Sequence, residues 1–119
     1  MKMEPNKVIL CITVLLLAGC ASNKNQYYWG EYEDLVYKNH HTPGDVPPSV
    51  QIETLLADID KAEASGKRVA PGVYAHLGFM YAADGNKELA LQSLIKEKEL
   101  FPESATFIDG IIQRSITKS

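Results

Sequence analysis

Cysteine is scarce in this chain, with only Cys11 and Cys20 among 119 residues, and neither sits in a spacing that holds zinc. Neither G-x-S-x-G nor H-E-x-x-H occurs, so the local signatures of serine hydrolases and zinc proteases are missing and the chain is not expected to be an enzyme. A membrane-spanning run is missing too. The apolar stretch Val8 to Leu17 has ten residues, where a spanning helix needs about 20. Basic charge is in short supply: twelve Lys and Arg stand against fifteen Asp and Glu, a net charge of −3. That balance repels a phosphate backbone and excludes nucleic acid as a partner.

What is present begins at the N-terminus. Lys2 and Lys7 precede the short apolar run, and Ala18-Gly19-Cys20 closes it with small residues, the layout of a secretory signal. Leu17-Ala18-Gly19-Cys20 resembles a bacterial lipobox. The resemblance implies cleavage before Cys20, acylation of its thiol, usually with three chains, and a membrane partner reached through lipid alone. Each buried methylene contributes about 0.8 kcal/mol, so three chains suffice to hold the protein on a bilayer. Ala21 stands where an Asp would suggest inner-membrane retention, so the same resemblance implies the periplasmic face of the outer membrane.

Three segments follow from this reading: a signal over 1–19, a lipidated Cys20 with a polar tether to 26, and a domain over 27–119. Cys11 leaves with the signal and Cys20 is acylated, so no thiol remains for a disulfide, a metal or catalysis. No cofactor is expected. The mature chain keeps 100 residues with ten Lys and Arg against fourteen Asp and Glu, one small acidic domain.

Within it, Tyr74, Leu77, Gly78 and Tyr81 fall at i, i+3, i+4 and i+7, one face of a helix. Asp84-Gly85-Asn86 supplies a glycine stop and then an N-cap. Ala90 and Leu94 share a face of the next helix, and Pro102 ends it. Gly78 and Ala90 lack bulk, so two antiparallel helices can approach closely there. This spacing resembles one tetratricopeptide repeat, with Tyr74 in the Trp position, Leu94 in the Phe position and Glu97 where a small residue is usual. The Glu97 departure suggests loose packing of the following helix or the end of an array.

The fold class expected is all-α, TPR-like antiparallel hairpins with about five helices. Glu31 to Asn39 forms the first, with acids early and Lys38 late to suit the helix dipole. Tyr27, Tyr28 and Trp29 precede it; Tyr28, Tyr32, Leu35 and Val36 are at helical spacing, and the rings seal a small core. His40 to Pro48 reads as a linker, and His40, His41 and Asp45 offer too few convergent ligands for a metal. Ser49 to Ser65 is amphipathic, with Ile52, Leu55, Leu56, Ile59 and Ala62 on one face and Glu53, Asp58, Asp60 and Lys61 on a wetted one. Gly66 stops it, and Lys67-Arg68 sits in a loop. After Pro102, Phe107, Ile108, Ile111, Ile112 and Ile116 trace a last amphipathic helix.

Val73 to Ala83 is apolar on all sides except for His76. With one face turned to the 86–101 helix, Ala75, Phe79 and Ala82 must face something else; in the repeat family these positions line the peptide groove. Two outcomes are open: the 49–65 helix buries them, which is the expectation, or they are free for a partner protein. The overall layout also resembles small uncharacterised lipoproteins of Gram-negative bacteria that occur alongside curli-channel-like lipoproteins. That resemblance implies an accessory role in an envelope or secretion assembly. The alternative is a structural lipoprotein that self-associates or binds the cell wall.

Overall fold

The structure is a computed structural model that describes residues 4–7 and 26–117; the signal core, Cys20 and most of the tether lie outside the described residues. From Gln26 onward five α-helices carry the fold, α1 (Tyr32–His41), α2 (Pro48–Ala64), α3 (Val73–Ala83), α4 (Lys87–Leu100) and α5 (Ala105–Thr117), with a 3-10 turn over Pro102–Ser104 between the last two. The described residues are therefore all-α apart from one short pairing. Strands β1 (Tyr27–Tyr28) and β2 (Arg68–Val69) run parallel, Tyr27 opposite Arg68 and Tyr28 opposite Val69. Tyr28 thus belongs to an extended segment rather than to the helix that its spacing suggested, and Arg68 leaves the expected loop for a strand.

Helix ends follow local chemistry. Pro48 opens α2, where its missing N–H costs nothing and its fixed φ suits the first turn. At the other end, the Gly66 N–H donates to Glu63 and the Lys67 N–H to Ala62, with Gly66 at φ +66°; these two bonds satisfy carbonyls that the helix leaves open. Gly85 and Asn86 repeat the arrangement after α3, donating to Ala82 and Tyr81. Asn86 Oδ1 then accepts from Leu89 N–H at 3.1 Å and starts α4. One tripeptide ends one helix and begins the next. α1 runs two residues further than expected and takes in His40 and His41.

The core gathers Leu35 from α1, Ile52, Leu55 and Ile59 from α2, and Val73 and Leu77 from α3, with Tyr27, Trp29 and Tyr32 packed against it. Tyr27, Trp29 and Tyr32 therefore close the core as expected, whereas Val36, on the same helical spacing, is exposed. Leu55 is fully enclosed, and truncating such a leucine to alanine costs about 2–5 kcal/mol. On α2 two assignments change: Leu56 is exposed, and Asp58 is 4% exposed instead of wetted. Asp58 Oδ2 accepts from Glu31 N–H at 2.8 Å, which satisfies the start of α1, and a Cβ at Gly30 would overlap that carboxylate. The buried acid is tolerated because it is hydrogen-bonded.

α3 and α4 pack antiparallel. Gly78 lies against Leu94 and Ala90, and a Cβ on it would stand 2.9 Å from Leu94 Cγ and 3.0 Å from the Ala90 carbonyl oxygen. Leu89 is exposed, as is Phe107 on α5, where Ile108 is the buried anchor. Lys98 pairs with Asp109 at 2.7 Å across α4 and α5. Among the described residues no helix is long and apolar enough to cross a membrane.

Candidate functional site: the groove between α1 and α3

Because α3 is apolar nearly all round, each of its faces needs a neighbour or remains open. Val73 and Leu77 meet α2 in the core, and Gly78 meets α4. Ala75 is half-buried, while Phe79 and Ala82 are exposed. The expectation that the helix over 49–65 would bury this face is therefore corrected. α2 is committed to the Val73 and Leu77 side, and α1 flanks the remaining face without closing over it.

A groove of about 450 Å³ results, within the range of small ligand and side-chain pockets. Tyr32, Val36, Asn39 and His40 form one wall, and Gly72, Ala75, His76, Phe79 and Met80 form the other. Ala82 lies outside the lining. Phe79 is 39% exposed, which makes it the largest apolar side chain of α3 that a second molecule can still cover.

The floor is polar and closed on itself. Asn39 Nδ2 donates to Gln51 Oε1 at 2.7 Å, and His76 Nε2 lies 2.8 Å from the same oxygen and 3.1 Å from Asn39 Nδ2. The shorter contact assigns the ring proton to Nε2, donating to Gln51. Gln51 Nε2 in turn donates to the Val46 carbonyl at 2.7 Å. Burial pushes the His76 imidazole below its ordinary value, so the floor is neutral and ties α1, α2 and α3 together.

At the Gly72 end, Glu97 of α4 is 3% exposed. Its Oε1 accepts from Gly72 N–H at 2.7 Å and its Oε2 from Ala75 N–H at 3.3 Å. Burial raises the Glu97 carboxyl above the usual range, against the opposing pull of the Gly72, Ala75 and Tyr74 N–H groups, while nearby Glu103 adds to the rise. The Tyr32 hydroxyl is raised as well, by burial first and then by Glu97. Glu97 caps α3, whose own N-cap, Gly72, has no side chain to do so.

Of the residues singled out in the sequence, Leu77, Gly78, Ala90 and Leu94 are buried, Tyr74 and Tyr81 are half-buried, and Pro102 opens the 3-10 turn. Gly78, Ala90 and Leu94 meet in the α3–α4 contact, Leu77, Tyr74 and Tyr81 belong to the core shared with α1 and α2, and none of them lines the groove. Ala75 and Phe79 do line it. The α1 wall and the Gln51 link were not anticipated. The one available signal was His76, a lone polar side chain on an apolar helix, which needs a partner when half-buried. Cys20 lies outside the described residues. Among the described residues no group of three His, Cys, Asp or Glu is placed to hold a metal. The arrangement suits an apolar side chain lodged against Phe79, Val36 and Met80.

No curated protein and no solved structure matches the chain. Residues 26–111 match the family described as Domain of unknown function (DUF4810). That match takes in all of α1 to α4 and most of α5, and the chain belongs to this family.

Proposed function

We propose that this protein is a lipid-anchored accessory of an envelope or secretion assembly, held through Cys20 on the periplasmic face of the outer membrane and engaging a partner protein through the α1–α3 groove. The observation that carries the reading is Phe79, left 39% exposed beside a groove of about 450 Å³. An apolar helix face that the fold has not covered is where a partner side chain gains most from burial. The α3–α4 pair fits a TPR-like hairpin, a reading supported by Gly78 seated on Leu94 and Ala90, and in such a hairpin Ala75 and Phe79 lie on the partner side. No chemistry of its own is assigned to the domain. The lipobox supports the anchor, and the resemblance to lipoproteins that accompany curli-channel-like proteins supports the kind of assembly.

A second reading, self-association, has its own support. Leu91 and Ile95 on α4 and Phe107 on α5 are exposed, a set that another copy could cover. A photo-crosslinking residue placed at 79, and separately at 107, in intact cells distinguishes the two. Adducts from 79 with one different envelope protein support the groove reading. Adducts from 107 with the chain itself, and none from 79, support self-association.

A further inference from the structure

Two features 41 positions apart in sequence meet at the corner of the domain nearest the anchor. Through the β1–β2 pair, Tyr27 stands beside Arg68. The Arg68 guanidinium lies 5.2 Å from the centroid of the Tyr27 ring and 5.8 Å from that of Phe101. Its Nη1 donates to the Tyr27 hydroxyl at 3.4 Å. Tyr27 in turn packs edge-on against Trp29, with centroids 6.2 Å apart. Tyr27 and Trp29 keep part of their surface in solvent, and Lys67 and Arg68 are exposed.

Neither cation takes part in an ion pair among the described residues. The rings hold the Arg68 fork in place, so less freedom is lost when it binds an anion, and its remaining N–H groups suit phosphate oxygens. Aromatic rings with polar tips beside basic side chains form the combination that settles at a lipid headgroup layer.

Chain length points the same way. Resting on the reading that Cys20 carries the lipid, six residues separate it from Tyr27, a reach of about 25 Å at most over seven Cα steps. This corner therefore cannot leave the neighbourhood of the bilayer. The domain as a whole is repelled by an anionic surface, because residues 26–117 carry fourteen Asp and Glu against eight Lys and Arg. A domain so charged approaches with its basic corner first.

We propose that Tyr27, Trp29, Lys67 and Arg68 form a docking surface for the phosphate headgroups of the bilayer that anchors the chain, which fixes the orientation in which the α1–α3 groove is presented. Trp29 is the sole tryptophan, so its fluorescence reports on this corner alone. The acylated chain is reconstituted into vesicles of phosphatidylethanolamine and phosphatidylglycerol whose acyl chains carry bromine either near the headgroup or near the chain end. Bromine near the headgroup quenches Trp29 more than bromine at depth, and salt weakens that quenching. Arg68→Gln lowers the ratio of docked to undocked domain about fivefold, with helicity unchanged because the side chain is exposed.

Protein that floats with the vesicles while Trp29 stays unquenched overturns the docking surface and leaves the anchor standing; the basic corner then serves an acidic protein instead. Quenching that persists undiminished in Arg68→Gln and in Lys67→Gln also overturns it. Protein that does not float with the vesicles overturns the anchor, and the docking proposal with it.

Discussion

The Glu97 carboxylate sits at the start of a helix to which it does not belong, with Oε1 2.7 Å from the Gly72 nitrogen and Oε2 3.3 Å from the Ala75 nitrogen. It stands in for the side-chain cap that Gly72 cannot supply, and it pins the C-terminal end of α4 to the N-terminal end of α3. Glu97→Ala leaves those N–H groups without an acceptor and lowers stability by about 1–3 kcal/mol, read by denaturant unfolding. Glu97→Gln loses less, because its amide oxygen still accepts from Gly72.

The same carboxylate sets a pH dependence. Its folded value is raised above the ordinary 4.5, so as pH climbs from 4.5 through the folded value the native chain still holds a proton that the unfolded chain has lost. Stability therefore falls with rising pH across that window and stays lower above it. In Glu97→Gln this decline disappears from a plot of unfolding free energy against pH.

His76 acts with the opposite sign. Its folded value is lowered from the ordinary 6.5 by burial, so below 6.5 the unfolded chain takes up a proton that the native ring refuses. Stability is fully present above 6.5 and is lost as pH falls toward the folded value. The groups facing the ring are the Asn39 and Gln51 amides and the edge-on Tyr32 ring. His76→Gln flattens the acid-side loss, measured as melting temperature against pH.

Gly78 is held to glycine by contact rather than by backbone angle. An alanine there gains about 1 kcal/mol in helix propensity, yet its Cβ meets Leu94 Cγ at 2.9 Å and the Ala90 carbonyl oxygen at 3.0 Å. The backbone oxygen cannot yield without moving α4. Gly78→Ala is therefore destabilising on balance, with overpacking costing about 1–3 kcal/mol. Adding Leu94→Ala relieves part of the clash, so the double variant loses less than the sum of the single losses.

Much of this fold was legible from local pattern. The four positions Ile52, Leu55, Ile59 and Ala62 gave the buried face of α2, and Asp84-Gly85-Asn86 gave the turn between α3 and α4, because periodicity and capping are written in neighbouring residues. The burial of Asp58 and the capping role of Glu97 are not legible locally, for one shared reason. Each is a carboxylate buried against backbone N–H groups at the start of a distant helix, and local sequence does not say which helix end will arrive there. Spacing alone places Leu56 inward, although α2 has neighbours for only part of its apolar surface. The groove was half visible: Ala75 and Phe79 stood out as an unpaired face, whereas the α1 wall depends on how the segment before α2 folds back.

The proposed lipid anchor at Cys20 has a simple readout. On the proposed reading, Cys20→Ser removes the thiol that would be acylated, so the chain loses the added acyl mass, read by mass spectrometry of the purified protein. Acyl mass that persists in Cys20→Ser removes the thiol-linked lipid from the account.

The central claim, that the uncovered face of α3 is a docking site, is tested most directly by Phe79→Glu measured two ways on the same preparation and strain. Phe79 is 39% exposed and outside the buried core, so Phe79→Glu costs no more than about 1–2 kcal/mol of unfolding free energy and the chain stays folded, while the crosslinked complex with the proposed envelope partner disappears. A complex that survives Phe79→Glu, or a chain that unfolds with it, contradicts the claim.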